Sequence, residues 1–470
     1  MKKNNLVKKV ALFTAAAVMA VSFTSCGNSV SDKDDKGRTV ITVGSYPQGD
    51  GPLRDNMEAR RKSFEAENTD VVVKGDPWGF ERKTFYAKAA GGQLPTVYEV
   101  AFTEMPEIIA SGYSADLTEA LKKYDIYDNF NKDILDVVSK DKKAYAFPYT
   151  AYVLGLAYNT ELFEKAGLMD ADGTPKQPKD WDEVREFAVK IKKATGKAGI
   201  VFPSAANNGG WLFTPLAWSF GTEFMKQDKD GKWKATFDSP ETVEALQYIK
   251  DLKWKYDVLP SNTLIDASEF SKVFGTGDAA MCIAAGDIPR KVVQYGMQPE
   301  QLGMMAMPKG PKKHVTLLGG SVYCVNNKAT KDQIDAAVRW IKTAYTPEAT
   351  ESFKTDLQKT VEYNISQNYL IGINGLNIWN ADADATKYKF NFYKEKSNAN
   401  LNHVKLYNEF TENTGDCVIQ PEEPVCAQEL YAILDGCIQE VLVNKDADCA
   451  ELIKKAQSDF QSNYLDNLDY

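Results

Sequence analysis

Aromatic and carboxylate side chains follow the first three predicted strands of this chain. Tyr46 follows the first strand, Asp76 and Trp78 follow the second, and Glu104 follows the third. A planar ring can stack on the C–H face of a sugar, and a carboxylate accepts hydrogen bonds from hydroxyl groups. These positions therefore suit the binding of a polyhydroxylated ligand, with a core or surface role as the alternative for Trp78.

The sequence lacks the residues that several classes of catalytic site require. It contains only two histidines, His314 and His403, so the residues needed for a multi-histidine zinc site or for most histidine-based catalytic triads are missing. Residues 228–231 (DKDG) are typical of a hairpin turn, because an EF-hand needs its glycine at position six. Two carboxylates suffice for glycoside hydrolysis, and 65 acidic residues leave such a pair open. We expect no catalytic residue, no metal and no cofactor.

The amino terminus has the pattern of an export signal. Four lysines precede a short apolar run from Val10 to Val21, which is too short to span a bilayer core of about 30 Å. Small polar residues then lead into Cys26, and this resembles the lipobox of bacterial lipoproteins, although Phe23 stands where that motif favours leucine. The resemblance implies lipidation of Cys26. An ordinary cleaved signal with a chance cysteine is the alternative.

Acyl chains on Cys26 would hold the protein at a membrane, because each buried methylene contributes about 0.8 kcal/mol. We therefore expect an exported protein anchored on the outer face of the cell membrane, or on the periplasmic side or cell surface of a two-membrane organism. Residues 27–37 (GNSVSDKDDKG) are polar and predict a flexible tether.

Composition and charge indicate a large globular protein. The 470 residues are 43% hydrophobic and 26% charged, and this length predicts two lobes rather than one core. The formal charge is −9, which argues against nucleic acid as a partner and against long-range attraction of an anionic ligand.

Six cysteines remain after Cys26. Cys282 and Cys324 lie in apolar strand-like runs, where buried free thiols are expected. The other four lie between residues 417 and 449, and their spacing of 9, 11 and 12 residues matches no zinc motif. An exported location permits disulfides in this region, so disulfides and free thiols both stay open.

Strands and helices alternate along the chain, which predicts an α/β protein with a parallel sheet covered by helices. Capping residues mark helix starts at Asp180, Ser239 and Thr330. Leu53, Met57 and Phe64 form the apolar stripe of an earlier helix. Strands are expected at residues 40–43, 71–73, 96–100, 199–202, 279–283, 302–307 and 321–325.

Several segments occur in the order typical of one family. They closely resemble the extracellular solute-binding proteins of carbohydrate ABC importers, the group that contains maltose-binding protein, from about Thr39 to about Pro347. The matching segments are residues 144–149 (AYAFPY), 155–168 (GLAYNTELFEKAGL), 178–184 (PKDWDEV), 274–281 (FGTGDAAM), 302–308 (LGMMAMP) and 319–321 (GGS).

The resemblance implies a two-lobed periplasmic-binding-protein-like fold of type II, with hinge strands that join the lobes. The chain should first cross between lobes near Pro148 to Gly155 and return near Lys309 to Ser321. The implied division is a lipoprotein signal peptide at 1–25, a tether at 26–37, one lobe from 38–148 with 320–346, and a second from 149–319 with 347–470. The C-terminal part should pack on both lobes.

The function implied by the resemblance is capture of a sugar or oligosaccharide in the interlobe cleft, followed by delivery to the transmembrane subunits of an ABC permease. We expect a monomer with no enzymatic activity. Two alternatives stay open: a secreted polysaccharide-degrading hydrolase, and a surface glycan-adhesion lipoprotein without a transporter.

The resemblance also suggests ligand-contacting residues in the second lobe and at the hinge. Residues 207–211 (NNGGW) correspond to the aromatic-bearing loop of the family, which makes Trp211 the leading candidate, with Trp218 shortly after it. Tyr152 lies just past the first hinge strand, and Gly320 lies in the glycine-rich segment at the return.

One departure from the family pattern concerns residues 286–290 (GDIPR). The family commonly has tryptophan near this point, whereas this chain has Asp287. Asp287 is therefore a candidate acceptor for ligand hydroxyl or amino groups, and a helix cap or a salt bridge to Arg290 is the alternative.

Overall fold

Two large β-sheets, one in each lobe, organise the part of the chain that the structure describes, residues 32–468 of a computed structural model, and two small two-stranded sheets accompany them. The strands are β1 (Thr39–Val43), β2 (Val71–Gly75), β3 (Val97–Ala101), β4 (Ser139–Lys140), β5 (Lys143–Ala144), β6 (Phe147–Val153), β7 (Gly155–Asn159), β8 (Met225–Gln227), β9 (Trp233–Ala235), β10 (Met281–Ala284), β11 (Leu302–Met305), β12 (Val315–Val325) and β13 (Val418–Pro421).

The helices cover the faces of both sheets. They are α1 (Pro52–Glu67), α2 (Arg82–Ala90), α3 (Met105–Ala110), α4 (Thr118–Lys123), α5 (Lys132–Val137), α6 (Thr160–Lys165), α7 (Trp181–Thr195), α8 (Asn208–Phe220), α9 (Pro240–Trp254), α10 (Ala267–Gly275), α11 (Ile288–Val292), α12 (Lys331–Lys342), α13 (Glu351–Ser366), α14 (Asp384–Lys396), α15 (Lys405–Glu412), α16 (Ala427–Val443) and α17 (Cys449–Asn463).

The six-stranded sheet of the first lobe runs β13-β12-β3-β1-β2, and β6 also pairs with β12. β1 is parallel to β2 and to β3, as the strand–helix alternation predicts. β12 is antiparallel to β3 and β6 but parallel to β13, so the sheet is mixed. Val40, Ile41 and Val43 of β1, which lies between β3 and β2, are buried, as expected for a strand covered on both faces.

The three-stranded sheet of the second lobe has β7 at its centre, antiparallel to β10 and β11. Every residue of β7 is buried. The chain leaves the first sheet at Val153 and enters this second sheet at Gly155, inside the segment predicted for the first crossing. It returns between Met305 and Val315, slightly earlier than the predicted return.

The predicted helix starts at Asp180, Ser239 and Thr330 are confirmed, because each side chain accepts a hydrogen bond from a backbone N–H in the first turn. Thr330 forms a full capping box with Gln333. Gly196 ends α7 in the left-handed conformation. The turn at residues 228–231 is also confirmed, since it joins β8 and β9.

Three local predictions were wrong. Residues 199–202 form no strand, and the neighbouring Ala198 makes only an isolated bridge to Ala279. Leu53 is 78% exposed rather than part of a buried stripe, because only the later part of α1 packs inward, at Phe64. Residues 208–211 form the first turn of α8 rather than a loop.

The predicted tether is only partly described. Residues 32–37 lie against the first lobe, where the Lys33 ammonium donates to Asp332 at 2.7 Å and Asp34 pairs with Arg38. The predicted signal peptide and Cys26 lie outside the described residues. Within residues 32–468, no helix is long and apolar enough to cross a membrane.

The six described cysteines are all free, so the structure contains no disulfide between residues 417 and 449. Cys282 and Cys324 are completely buried, which confirms the expectation of buried thiols.

The C-terminal part of the chain contacts both lobes. Trp379 stacks on Phe130 of the first lobe, with ring centroids 4.8 Å apart. α16 packs on α8 and α9 of the second lobe, and α17 packs on α9. The last two long helices therefore complete the second lobe, while the segment before them bridges to the first.

The close approach of α8 and α16 depends on Gly210. A Cβ atom at this residue would lie 2.2 Å from the carbonyl oxygen of Tyr431, which no side chain can accommodate without movement of the backbone. Gly436, on α16 itself, has open space around its Cβ position. The two glycines therefore provide a matched pair for testing the contact.

We expect Gly210→Ala to lower the free energy of unfolding by about 1–3 kcal/mol, because it overpacks the helix contact. Gly436→Ala should raise it by about 0.5–1 kcal/mol, since alanine favours a helix interior. Denaturant unfolding monitored by circular dichroism measures both values. Equal effects of the two substitutions would contradict the contact.

Candidate functional site

A cavity of about 260 Å³ lies between the lobes and joins residues from both. We call it the bridging cavity. Thr103 and Gly320 come from the first lobe, Trp211 and Asn208 from the start of α8, and Tyr152 from the hinge strand β6. The C-terminal segment adds Glu422, Gln428 and Tyr431.

Glu422 connects the two lobes across the bridging cavity. Its carboxylate accepts hydrogen bonds from the Thr103 hydroxyl of the first lobe and, at 3.0 Å, from the Tyr431 hydroxyl on α16. Burial raises the pKa of Glu422 to about 7, and hydrogen bonding from Tyr431 and Trp211 acts in the opposite direction. The carboxyl group therefore titrates near neutral pH while it faces the cavity.

Trp211 reaches the cavity because α16 fixes the start of α8. The Asp435 carboxylate on α16 accepts hydrogen bonds from the backbone N–H groups of Asn207 and Gly210, each at 2.7 Å. These bonds satisfy N–H groups that a helix start leaves free, so Asp435 caps α8 from another helix. Trp211, one residue after Gly210, is only partly buried.

A second cavity, of about 380 Å³, adjoins the first and shares Tyr152, Asn208 and Trp211 with it. We call it the second-lobe cavity. Its walls are mostly apolar, and they include Leu212, Phe270, Ile283 and Ile288. Asp287 lies at its edge and pairs with Lys291 at 3.0 Å, so neither the predicted cap nor a bridge to Arg290 forms.

Tyr152 is one of the three residues common to both cavities, and the hinge determines its position. It lies opposite Gly319 in the pairing of β6 with β12, and a Cβ atom on Gly319 would lie 2.2 Å from the tyrosine ring. The Tyr152 ring therefore packs directly on the backbone of β12 at Gly319, where any larger residue would clash with it. Burial raises the pKa of the Tyr152 phenol, which stays protonated at neutral pH.

Five predicted residues lie outside these cavities. Tyr46 is buried over Gly75 and donates to Glu58 at 2.9 Å. Asp76 accepts from the Trp78 backbone N–H at 2.8 Å, and the Trp78 ring packs against Phe85.

The other two are held by buried polar contacts. Glu104 is buried and paired with Arg82. Trp218 is 1% exposed and donates to Glu423 at 2.9 Å, so it belongs to the core of the second lobe. Strand-end position alone did not distinguish such packed side chains from those that face a cleft.

Of the predicted residues, Trp211 and Tyr152 line both cavities, Gly320 lines the bridging cavity and Asp287 lines the second-lobe cavity, and the structure adds residues that sequence reasoning missed. Thr103, Glu422 and Tyr431 are the main additions. Glu422 directly follows the short strand β13, and a carboxylate after a strand was the available signal. The segment lies beyond the family resemblance, which weakens after about Pro347.

Comparison with known proteins places this architecture in a family. The family model described as bacterial extracellular solute-binding protein matches residues 45–351. The chain belongs to the bacterial extracellular solute-binding proteins. This membership confirms the predicted family and the prediction of a binding protein rather than an enzyme.

Individual solute-binding proteins resemble the chain at low sequence identity. A binding protein of Brucella abortus (strain 2308) is 24% identical over 286 residues, which cover 60% of this chain and 66% of that protein. The chain thus spans just under two thirds of the length of this curated relative.

Two solved structures share the fold over most of the chain. The cyclic alpha-maltosyl-1,6-maltose binding protein from Arthrobacter globiformis has a TM-score of 0.64 at 21% identity, covering 90% of this chain and 98% of that one. UgpB from Mycobacterium tuberculosis, in complex with glycerophosphocholine, has a TM-score of 0.63 at 16% identity, with coverage of 90% and 98%. These likenesses confirm the two-lobed α/β fold.

The raised pKa of Glu422 predicts that the free energy of unfolding of this solute-binding protein depends on pH. A carboxyl whose pKa rises from 4.5 to about 7 on folding binds more protons in the folded state than in the unfolded state. Its stabilising contribution is therefore present at low pH and lost as the pH rises from 4.5 through 7. Glu422→Gln should match the wild type at pH 4 and be more stable by about 1–3 kcal/mol at pH 8.

Unfolding by denaturant across pH 4 to 8 measures this difference. Glu119→Gln provides the control, because Glu119 is 92% exposed and its substitution should leave the pH profile unchanged. A stability difference for Glu422→Gln that stays constant with pH would contradict the assigned burial of the carboxyl.

Proposed function

We propose that this protein captures a sugar or oligosaccharide in the interlobe cleft and delivers it to the transmembrane subunits of an ABC importer. The observation that carries the proposal is the position of Trp211 between the two cavities, with the Asn208 amide and the Tyr152 ring beside it. A partly exposed indole offers a face for stacking on a sugar ring, and the surrounding polar groups can bind hydroxyls.

The site residues that we propose are Trp211, Tyr152, Asp287 and Gly320, together with Thr103, Glu422 and Tyr431. The hydrogen bonds that Glu422 accepts from Thr103 of the first lobe and from Tyr431 on α16 link the two lobes, which supports a mechanism in which the lobes close about the β6–β12 hinge. Ligand contacts available only in the closed state would shift the population toward it, which would allow a permease to distinguish loaded from empty protein. The binding protein from Arthrobacter globiformis, described for a cyclic maltosyl-maltose, supports the sugar class.

A thermal-shift screen of mono- and oligosaccharides tests the proposal. A sugar at about one hundred times its dissociation constant should stabilise the protein by about 2.7 kcal/mol. Formation of hydrolysis products in the same mixtures would instead identify an enzyme. No shift with any sugar would argue against the carbohydrate class.

Replacement of Trp211 should separate binding from stability. We expect Trp211→Ala to weaken sugar binding by about 1–3 kcal/mol, the loss typical of a stacked aromatic, with a much smaller change in the melting temperature of the free protein. Trp218→Ala is the matched control, because Trp218 is buried and its removal should lower the free energy of unfolding by about 3–5 kcal/mol.

Titration calorimetry measures the sugar affinity of both variants, and thermal denaturation measures the stability of the free proteins. A Trp211→Ala protein that loses stability yet binds with normal affinity would make Trp211 structural.

We further propose that the protein is an exported monomer, anchored in the membrane through lipid on Cys26. Cys26→Ala should release it from the membrane fraction or leave it unprocessed, because the anchoring acyl chains have no site of attachment. Labelling of cells with a fatty-acid analogue detects the modification. Unchanged labelling of the variant would contradict the lipid anchor.

A further inference from the structure

A third cavity, of about 320 Å³, lies beside the interlobe cleft and shares Tyr152, Ala285 and Asp287 with the second-lobe cavity. We call it the Lys389 cavity. It is enclosed by the start of α11, the segment 369–376 and α14. Its polar and aromatic walls include Arg290, Asn364, Asn374, Lys389 and Tyr393.

The Lys389 ammonium faces only neutral acceptors. It donates to the Asn374 carbonyl oxygen at 3.3 Å and to the Asn377 side-chain oxygen at 3.4 Å. Both distances exceed those of a strong hydrogen bond. No carboxylate within residues 32–468 forms an ion pair with this ammonium. Burial lowers the pKa of Lys389 to about 8, so the group still carries its charge at neutral pH.

Arg290 adds a second positive charge without a counter-ion. Its side chain is exposed, and its guanidinium makes no ion pair in the described part of the chain. Asp287, the carboxylate that lines the same cavity, pairs with Lys291 instead. The carboxylate that lines this cavity is therefore already neutralised, and the two remaining cations leave the cavity positive.

Asn364 adds a polar group to the cavity wall. The residue is 8% exposed overall, and its side-chain amide makes no hydrogen bond to another described residue while its polar atoms stay open to the cavity. The amide is therefore available to a ligand in the cavity. An amide N–H₂ can donate to an anionic oxygen.

We propose that the Lys389 cavity binds an anionic group, a carboxylate, sulfate or phosphate, carried by the sugar in the cleft. A guanidinium and an ammonium form their strongest hydrogen bonds with such oxygens. The shared wall of Tyr152 and Asp287 allows one ligand to occupy the second-lobe cavity and the Lys389 cavity together. The inference rests on the proposed function and narrows it to acidic sugars.

The test compares neutral sugars with acidic counterparts by titration calorimetry on the purified protein. Mono- and disaccharides are paired with forms that carry a C6 carboxylate, a 6-phosphate or a 6-sulfate. We expect at least one acidic form to bind at least about tenfold more tightly than its neutral partner. Arg290→Gln and Lys389→Met should each reduce that preference by about tenfold, because each removes one donor of a charge-assisted bond.

Lys387→Met is the matched control. Lys387 lies on the same helix, is 56% exposed and pairs with Asp382 at 3.3 Å, so its loss should leave the preference unchanged. Arg290 is exposed, and Arg290→Gln therefore tests the cavity even if Lys389→Met proves unstable.

Three outcomes separate the inference from the proposed function. Acidic sugars that bind no more tightly than neutral ones would overturn the inference and leave the proposed function intact. If Lys387→Met reduced the preference for acidic sugars equally, the preference would come from the overall positive charge of the region rather than from the cavity. That result would also overturn the inference. Failure of every sugar, neutral or acidic, to bind would contradict the proposed function itself.

Discussion

The pairing of β6 with β12 is the constraint on which the rest of the molecule depends. β12 belongs to the first-lobe sheet along its whole length, and β6 continues directly into the central strand of the second sheet. Gly320 allows the two strands to approach, since a Cβ atom there would lie 2.2 Å from the Thr150 carbonyl oxygen. The position of Tyr152 follows from the same pairing, so the hinge and the floor of the cleft are one structural element.

Burial and partner choice explain which candidate residues meet at the cleft. Trp211 and Trp218 lie on one helix, seven residues apart, yet the first borders two cavities and the second donates to buried Glu423. Two turns of helix place both rings on nearly the same side. The difference arises because the start of α8 lies at the cleft, whereas its later turns lie inside the second lobe.

The sequence predicted elements with local signals and failed where distant contacts decide. Capping residues located α7, α9 and α12, because a helix start depends on its own first turn. Asn and Gly favour turns, so the sequence of residues 207–211 predicts a loop. Its cap comes from Asp435, 225 residues from Gly210 in the chain, and no local pattern reveals such a partner. Glu422 was missed for a similar reason, since its partners Thr103 and Tyr431 meet only in the folded protein.

Capping of α8 by Asp435 has a consequence for the electrostatics of the cleft. The start of a helix carries a partial positive charge, and its free N–H groups commonly receive anions. In this protein a carboxylate already occupies that place, and Glu422 stands nearby. Negative charge on a ligand is thus disfavoured beside α8 and tolerated toward α14. The two ends of the cleft differ in polarity, so an elongated ligand with unlike ends would bind in a single direction.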